Sequence, residues 1–327
     1  MVLKFIAAFL VSLVVSAAVG IFLIPALRRI KAGQSIREDG PVWHSKKQGT
    51  PTMGGLMFIA GIAVACLTVG FGEMRKADFT HIYVFLLALV YAAIGFLDDY
   101  EKLKKKQNLG LKAIHKFALQ LIVAVAFVLL MRVTGNLSPN LYIPFFNVTL
   151  SIPEPIYYIF TAFVAVGTVN AVNITDGVDG LATGVTIPVA AFFTTIAFIW
   201  SLPALGVFAA ALFGGLVAFL FFNIHPAKVF MGDTGAQFLG GAVCAAAFAM
   251  DMPLILIPLG IVYLVETLSD IIQITYFKLT NGKRVFKMAP LHHHFEMSGW
   301  SEYRLFTVFT SVAAIFAVIS YFGVRYR

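Results

Sequence analysis

Long apolar segments alternate with short polar ones along almost the whole chain. A helix needs about 20 mostly apolar residues to cross a bilayer, and lipid admits only helices or closed barrels. Strand-like alternation of apolar and polar residues is absent. The apolar segments comprise residues 5–24, 54–72, 79–97, 115–131, 156–172, 181–200, 203–222, 235–250, 253–271 and 305–324. We therefore expect an all-α, polytopic integral membrane protein with about ten transmembrane helices.

The composition excludes the main soluble classes of protein. Of the 327 residues, 60% are hydrophobic and only 12% are charged, whereas a soluble domain is about 45–50% apolar and about 25% charged. So few charges cannot cover a soluble protein of this size, and the lipid bilayer is an expected partner. The net charge of +8 fits contact with anionic lipid, and nucleic acid is not an expected partner. No linker divides the chain, so residues 1–327 are expected to form a single domain.

The distribution of Lys and Arg predicts the orientation. Eighteen of these residues lie in the alternate connections 25–53, 98–116, 223–234 and 272–304, and six lie on the opposite side. Because cytoplasmic loops carry the excess of Lys and Arg, the four connections are expected to be cytoplasmic and both termini outside. The positive charges follow the first apolar segment, so we expect a retained helix and not a signal peptide.

Acidic residues are rare, and they gather at the predicted cytoplasmic ends of the helices. They are Asp98 and Asp99 after the third segment, Asp176 and Asp179 after the fifth, Asp233 before the eighth, and Glu266 and Asp270 in the ninth. Carboxylates beside glycines favour a hard cation such as Mg²⁺, which binds one or two carboxylates and phosphate oxygens. Lys46, Lys47, Lys102 and Lys116 lie nearby and suit phosphate. Together these groups predict a phosphoryl-transfer site.

Each motif alone has a simpler interpretation. Asp98-Asp99 before a lysine run is also typical of a solvated helix end, and Asp-Gly pairs commonly mark turns. Three separate acid clusters on one side of so apolar a chain favour function. The triplet His292-His293-His294 cannot point all three imidazoles one way, so a zinc site built from it alone is not expected. Its imidazoles are suited to phosphate or hydroxyl groups of a ligand.

Five ordered motifs carry a resemblance that covers nearly the whole chain. The first joins residues 37–41 to residues 47–55, and the others span 96–100, 170–181, 230–235 and 290–296. With these motifs the chain resembles the polyprenyl-phosphate N-acetylhexosamine-1-phosphate transferase superfamily. The His-His-His-Phe-Glu sequence, and the lack of a third Asp after Asp98-Asp99, resemble its phospho-N-acetylmuramoyl-pentapeptide transferase family.

The resemblance implies a reaction and a place for it. Members transfer phospho-MurNAc-pentapeptide from UDP-MurNAc-pentapeptide to undecaprenyl phosphate with Mg²⁺, giving lipid I and UMP for peptidoglycan. It also implies a homodimer in the bacterial plasma membrane, with a cytoplasmic active site formed by residues 25–53, 98–116, 173–180, 223–235 and 272–304. One alternative is a UDP-GlcNAc:polyprenyl-phosphate GlcNAc-1-phosphate transferase. A transporter is the other, but it would place acids near the bilayer midplane.

The resemblance also assigns roles to individual residues. Asp233 would bind Mg²⁺, and Asp98, with Asp99 beside it, would act on the lipid phosphate as base or positioner. The phosphates would be held by Lys102 and Lys116. Ala236 departs from the family, in which Ser is common, and this puts only a hydroxyl contact in doubt. Direct attack by the lipid phosphate is preferred over a phospho-aspartate intermediate, because a phosphate monoester is already mostly ionised.

The remaining roles concern the donor substrate. Phe230 would stack on uracil, whose edge would be read by Gly177, Val178 and Asp179, with Asn223 nearby. The adjacent sugar–phosphate region would be lined by Lys47, Thr52, Asn173, Asp176 and Gly232. Contacts to the MurNAc-peptide or the diphosphate would come from Gln273, His292, His293 and His294, with His293 among the catalytic groups.

Overall fold

A bundle of α-helices with one small hairpin makes up the described part of the chain. The computed structural model describes residues 1–30, 47–105, 107, 109–135, 139–325 and 327. The predicted motif at residues 37–41 and the predicted phosphate-binding Lys46 lie outside these residues. The helices are α1 (Val2–Arg29), α2 (Gly55–Thr68), α3 (Phe71–Met74), α4 (Thr80–Lys105), α5 (Ala113–Val133), α6 (Glu154–Thr175), α7 (Leu181–Ile199), α8 (Pro203–Asn223), α9 (Gly232–Ala249), α10 (Leu256–Leu259), α11 (Ile261–Leu279), α12 (Leu291–Glu296) and α13 (Glu302–Val324).

The all-α, polytopic membrane architecture is confirmed. Within the described residues, seven helices are long and apolar enough to cross a membrane, or eight if the bent pair α10–α11 forms one span. Each of the ten predicted segments coincides with a helix or with this bent pair. However, α2 has only 14 residues, and α9 is less apolar than the helices that could cross a membrane. The count of ten spans and the sides of the termini therefore stay predictions.

Among the described residues, a short hairpin between α5 and α6 departs from the helical structure that the sequence pattern predicted. Strands β1 (Asn140–Ile143) and β2 (Val148–Ser151) pair antiparallel, with Asn140 opposite Ser151. Four residues per strand are too few for an alternating pattern to be recognised. The Phe145 amide donates to the Gly323 carbonyl at the end of α13 (2.8 Å), so the hairpin closes one end of the bundle.

The centre of the bundle is α9. Helices α4, α6, α2 and α7 surround it, and all of its residues from Thr234 to Phe248 are buried. By contrast, most residues of the apolar helices α1 and α13 are exposed or half-buried, as expected of helices that face lipid. Because protein surrounds α9, it tolerates the polar and small residues that lower its hydropathy. The fold thereby places Asp233, in the first turn of α9, at the middle of one end of the bundle.

A bend of 81° between α10 and α11 shapes the same end of the molecule. The break occurs at Gly260, which lies between the two helices. After it, α11 packs against α6 and α13 and also contacts the short helix α12. The bend therefore carries Glu266 of α11 to the histidine triplet of α12.

Candidate active site

The position of Asp233 is fixed by the side chain of Asp99. One carboxylate oxygen of Asp99 accepts from the Asp233 amide (3.1 Å), and the other accepts from the amide and hydroxyl of Thr234 (2.9 and 2.7 Å). These amides belong to the first turn of α9, where backbone N–H groups have no partner within the helix. Asp99 from α4 therefore caps α9 and is only 2% exposed.

Gly232 allows this approach. Its φ is +70°, a left-handed conformation that favours glycine, and a Cβ there would lie 2.6 Å from the Thr52 hydroxyl. The neighbouring backbone is also linked to α9, because the Gly54 amide donates to the Phe230 carbonyl and the Phe230 amide to the Pro51 carbonyl, both at 2.8 Å. The segment around Thr52 and the start of α9 thus form one unit.

Two lysines and an asparagine hold the carboxylate of Asp233. Its Oδ2 atom lies 3.0 Å from the Lys102 Nζ and 2.6 Å from the Lys116 Nζ. Its Oδ1 atom accepts from the Asn173 side chain (3.0 Å). The Lys102 Nζ also lies 2.6 Å from the Asp98 Oδ2, while the Leu111 amide donates to the Asp98 Oδ1 (2.9 Å). Residues from α4, α5, α6 and α9 therefore meet at one charged cluster.

The donor set of this cluster fits a divalent cation. Asp98, Asp99 and Asp233 each offer an oxygen, and these oxygens lie within 4.8 Å of one another. Carboxylate oxygens are the ligands that Mg²⁺ accepts. Asp176 follows α6, where its amide donates to the Asn173 carbonyl (3.2 Å), and burial and the carboxylates of Asp233 and Asp99 raise its pKa well above its usual range. The cluster has the acids for a metal and the lysines for phosphate groups.

A layer of amide side chains lies one helical turn further into the bundle than the charged cluster. Gln120, Asn170 and Gln237 are three or four residues from Lys116, Asn173 and Asp233 on the same helices. The Gln120 side chain donates to that of Gln237 (3.1 Å) and accepts from that of Asn170 (2.8 Å). These bonds join α5, α6 and α9 in a fixed register. Sequence analysis missed this layer, because each amide is unremarkable within its own apolar helix.

A second charged cluster joins Lys47 to the loop after α6. The Lys47 Nζ lies 2.7 Å from the Asp179 Oδ1 and 2.6 Å from the Glu302 Oε2. The other oxygen of Asp179 contacts the His225 Nδ1 (2.9 Å) and accepts from the Ala227 amide (3.0 Å). Sequence analysis missed Glu302, because an acid in the first turn of a helix is ordinary. Both oxygens of Asp179 are engaged within the protein.

Other predicted donor-site residues support the loops around Phe230. Asn223 accepts from the Thr183 hydroxyl (2.8 Å) and donates to the Val229 carbonyl (3.0 Å), beside the half-buried Phe230. Val178 is buried. The Gln273 side chain accepts from the Val285 and Phe286 amides (both 3.0 Å). Asn223 and Gln273 therefore hold backbone in this structure, and their substrate contacts stay predictions.

The three consecutive histidines have three different partners. The His292 Nδ1 lies 2.9 Å from Glu266, the His293 Nδ1 lies 2.6 Å from Glu296, and the His294 Nδ1 accepts from the Lys287 amide (3.1 Å). His292 is 1% exposed, whereas His293 and His294 are half-buried. Sequence analysis expected the imidazoles to point apart, but it assigned no partner to any of them.

The structure brings together the acids and lysines that the sequence selected, and their chemical roles stay predictions. Asp98, Asp99, Asp233, Lys102 and Lys116 share one cluster with Asn173. Lys47 and Asp179 share the second cluster. The histidines lie beside the loop after α6, where His292 packs against Gly177.

Comparison with known proteins identifies relatives along the full length of the chain. The Glycosyl transferase family 4 model matches residues 81–251, and the Phospho-N-acetylmuramoyl-pentapeptide-transferase signature 1 matches residues 47–59. The first match contains the whole cluster around Asp233. The second contains Lys47 and Thr52.

Three relatives named phospho-N-acetylmuramoyl-pentapeptide-transferase illustrate the similarity. The protein of Heliobacterium modesticaldum is 47% identical over 97% of this chain and 96% of its own length. That of Caldanaerobacter subterraneus is 45% identical over 99% of both chains. That of Clostridium acetobutylicum is 45% identical over 95% of this chain and 96% of its own. At this identity and coverage, the chain belongs to the phospho-N-acetylmuramoyl-pentapeptide-transferase family.

Proposed function

We propose that this chain transfers phospho-MurNAc-pentapeptide from UDP-MurNAc-pentapeptide to undecaprenyl phosphate, giving lipid I and UMP in peptidoglycan synthesis. One observation carries the proposal: the Asp233 carboxylate lies between Lys102 and Lys116 in a cluster of three aspartates at one end of a membrane bundle. Its full-length relatives are transferases by name. A soluble donor and a lipid acceptor must meet where the membrane borders water, and an end of the helix bundle lies there.

The transfer needs one bond to form and one to break. An oxygen of the lipid phosphate attacks the phosphorus that carries MurNAc, and the bond from that phosphorus to the UMP oxygen breaks. UMP leaves with the bonding electron pair, and the product is a lipid-linked diphosphate. Such a displacement depends mainly on in-line positioning and on neutralising phosphate charge. The ammonium groups of Lys102 and Lys116 supply positive charge at this point.

Asp233, which shares a cluster with Asp98 and Asp99, would hold Mg²⁺ in the working enzyme, since carboxylate oxygens are ligands that the ion accepts. When bound, Mg²⁺ neutralises charge on phosphate oxygens. Asp233 is the preferred ligand, because its side chain points into the cluster from the first turn of α9. Asp99 serves mainly to position Asp233, because both of its oxygens are occupied by α9.

Asp98 is the candidate group for the acceptor. Its Oδ2 contacts Lys102, and its Oδ1 is held by the Leu111 amide, so the carboxylate has a fixed direction. It would orient the lipid phosphate or accept its remaining proton. Direct attack is preferred to a phospho-aspartate route, because the ionised phosphate is already a nucleophile. A phosphoryl-enzyme trapped in wild type and absent from Asp98→Asn would contradict the direct route.

The test is UMP release by the purified protein in lipid–detergent micelles. With undecaprenyl phosphate, UDP-MurNAc-pentapeptide and Mg²⁺, we expect UMP and lipid I in equal amounts. Omission of the lipid, or chelation of Mg²⁺ with EDTA, should stop release, and readdition of Mg²⁺ should restore it. UDP-GlcNAc serves as the matched control donor. Release of UMP from UDP-GlcNAc alone would replace the proposed donor.

We also infer the cellular setting of the reaction. The predicted excess of Lys and Arg on the side of the charged cluster supports a cytoplasmic active site in the bacterial plasma membrane. A homodimer is proposed from the family resemblance. The mass of the detergent-solubilised protein, measured by light scattering with the detergent subtracted, should be twice that of one chain. A chain-sized mass would contradict the dimer.

A further inference from the structure

We propose that His292 acts as a positioning residue, held by Glu266, that fixes the nucleotide-binding loop through Gly177. The loop comprises residues 173–180 between α6 and α7. His292 thereby acts through the loop, without itself contacting the substrate. The inference rests on the proposed function and on the role that the family resemblance implies for this loop, which is to read the uridine part of the donor.

The bond between Glu266 and His292 is enclosed by protein. The two side chains are 0% and 1% exposed, and the His292 Nδ1 lies 2.9 Å from the Glu266 Oε2. Because a carboxylate only accepts, the hydrogen is assigned to Nδ1 and the imidazole donates. The bond joins α11 to α12, two helices that are separated in the chain by residues 280–290. A buried bond of this kind fixes the direction of the ring.

The imidazole ring of His292 packs closely against Gly177. A Cβ at Gly177 would lie 2.7 Å from the His292 Cε1 and closer still to Nε2, so only glycine fits against the ring. No φ in the left-handed region accounts for the glycine, since Gly177 is not among the glycines with positive φ. The close approach of the imidazole therefore explains the requirement for glycine.

The contact between His292 and Gly177 can affect the predicted nucleotide site through the residues beside Gly177. Gly177 lies in the chain between Asp176, at the end of α6, and Asp179, which binds Lys47. A shift of the Gly177 backbone would move both acids. With 1% exposure, His292 has no surface for a substrate, whereas His293 and His294 do. The triplet therefore divides into one buried side chain against the loop and two half-buried side chains.

A double-mutant cycle tests the contact through UMP binding, measured by calorimetry on the full-length protein with Mg²⁺. We expect Gly177→Ala to weaken UMP binding by about 10-fold or more, the loss expected when an added methyl group displaces a packed side chain. In a His292→Ala background the added methyl group has room. There, Gly177→Ala should change the affinity by less than about 2-fold, since the two residues are coupled. Equal losses in both backgrounds would overturn the proposal.

Variants of Glu266 test the support. Glu266→Gln keeps an oxygen that accepts from Nδ1 and should bind UMP within about 3-fold of wild type, whereas Glu266→Ala should lose about 10-fold, as for a buried hydrogen bond. The KM for UDP-MurNAc-pentapeptide should rise in Glu266→Ala while the KM for undecaprenyl phosphate is unchanged. A lower unfolding temperature with unchanged UMP affinity would reveal a merely structural bond and contradict the proposal.

The outcomes separate this inference from the proposed function. If wild type binds and releases UMP but the Gly177 and Glu266 variants bind it normally, only the inference fails. A wild-type protein that neither binds nor releases UMP contradicts the proposed function and the inference with it.

Discussion

Asp98 and Asp99 are neighbours in the sequence but have different surroundings. Asp99 accepts three hydrogen bonds from Asp233 and Thr234 at the start of α9. Asp98 faces Lys102 and the Leu111 amide. One acid is therefore committed to holding a helix, and the other to the charged cluster.

Replacing each acid by its amide should separate these tasks. In Asp99→Asn, an NH₂ group replaces one accepting oxygen opposite backbone donors. We expect a loss of about 1–3 kcal/mol in stability, the penalty for an unsatisfied buried donor. Asp98→Asn can keep the bond from Leu111 through its remaining oxygen, so its unfolding temperature should stay closer to that of wild type. Thermal unfolding in detergent measures both, and equal temperatures for the two variants would contradict this division.

Asp233→Asn should abolish Mg²⁺-dependent UMP release, with a loss of at least about 100-fold, because the variant removes the charge at the centre of the cluster. The helical circular dichroism spectrum should be unchanged. Glu154→Gln is the matched control: Glu154 pairs with Arg132 at the opposite end of α6, so turnover should persist. Near-normal turnover in Asp233→Asn would remove Asp233 from the metal site.

The charged residues of the site were predictable because charge is rare in this chain. Asp98, Asp233 and Lys116 stood out without any structure. Glu266 and Glu302 did not receive partners, because their bonds to His292 and Lys47 join residues 26 and 255 positions apart. Only the folded chain brings such pairs together.

At the scale of elements, the crossing of α4 and α9 sets the geometry of the site. The helices meet where Gly95 faces the backbone of Asp233 and Thr234, and a Cβ at Gly95 would lie 2.7 Å from the Thr234 amide nitrogen. Even one methyl group would push the first turn of α9 away from α4. The separation of Asp99 and Asp233 thus depends on this contact.

Gly95→Ala should therefore lower both turnover and stability. Overpacking of a close contact costs about 1–3 kcal/mol, and displacement of Asp233 should reduce kcat in addition. Gly167→Ala is the control, because Gly167 is exposed on α6 with nothing within 4 Å of an added Cβ. Alanine there should be neutral or stabilising by up to about 1 kcal/mol. Wild-type kcat in Gly95→Ala would contradict the role of the crossing.

Hydropathy predicted where helices lie, but it could not predict how they are broken or enclosed. The ninth predicted segment, residues 253–271, contains a sharp bend at Gly260, and α9 is surrounded by protein instead of lipid. Both properties depend on neighbouring helices. The hairpin of β1 and β2 was missed, because its register is set by pairing between strands that are too short to show a pattern.

At the scale of the molecule, orientation determines which substrates can reach the cluster. The predicted arrangement places the hairpin outside and the segment before α12 inside, with the charged cluster on the inner side. UDP-MurNAc-pentapeptide is a cytoplasmic metabolite in the proposed reaction, so this orientation is a requirement of the proposal.

Cysteine labelling can measure the orientation. Cys66 and Cys244 are fully buried, so we expect little background reaction with a membrane-impermeant maleimide. Phe146→Cys, in the hairpin turn, should react in unlysed spheroplasts, since Phe146 is 77% exposed. Lys283→Cys, also at an exposed position, should react only after lysis. The reverse pattern would overturn the cytoplasmic placement of the site.

The enclosure of α9 has a consequence for how the protein is made. This helix carries Asp233 and Gln237 and is too polar to count as a span by itself. The helices that enclose it, α2, α4, α6 and α7, all precede it in the chain. During translation, the helices that surround α9 are thus synthesised before α9 emerges from the ribosome. As α9 enters the membrane, it can therefore pack directly against helices that are already inserted. In a nascent chain that lacks α4, we expect α9 to remain outside the bilayer.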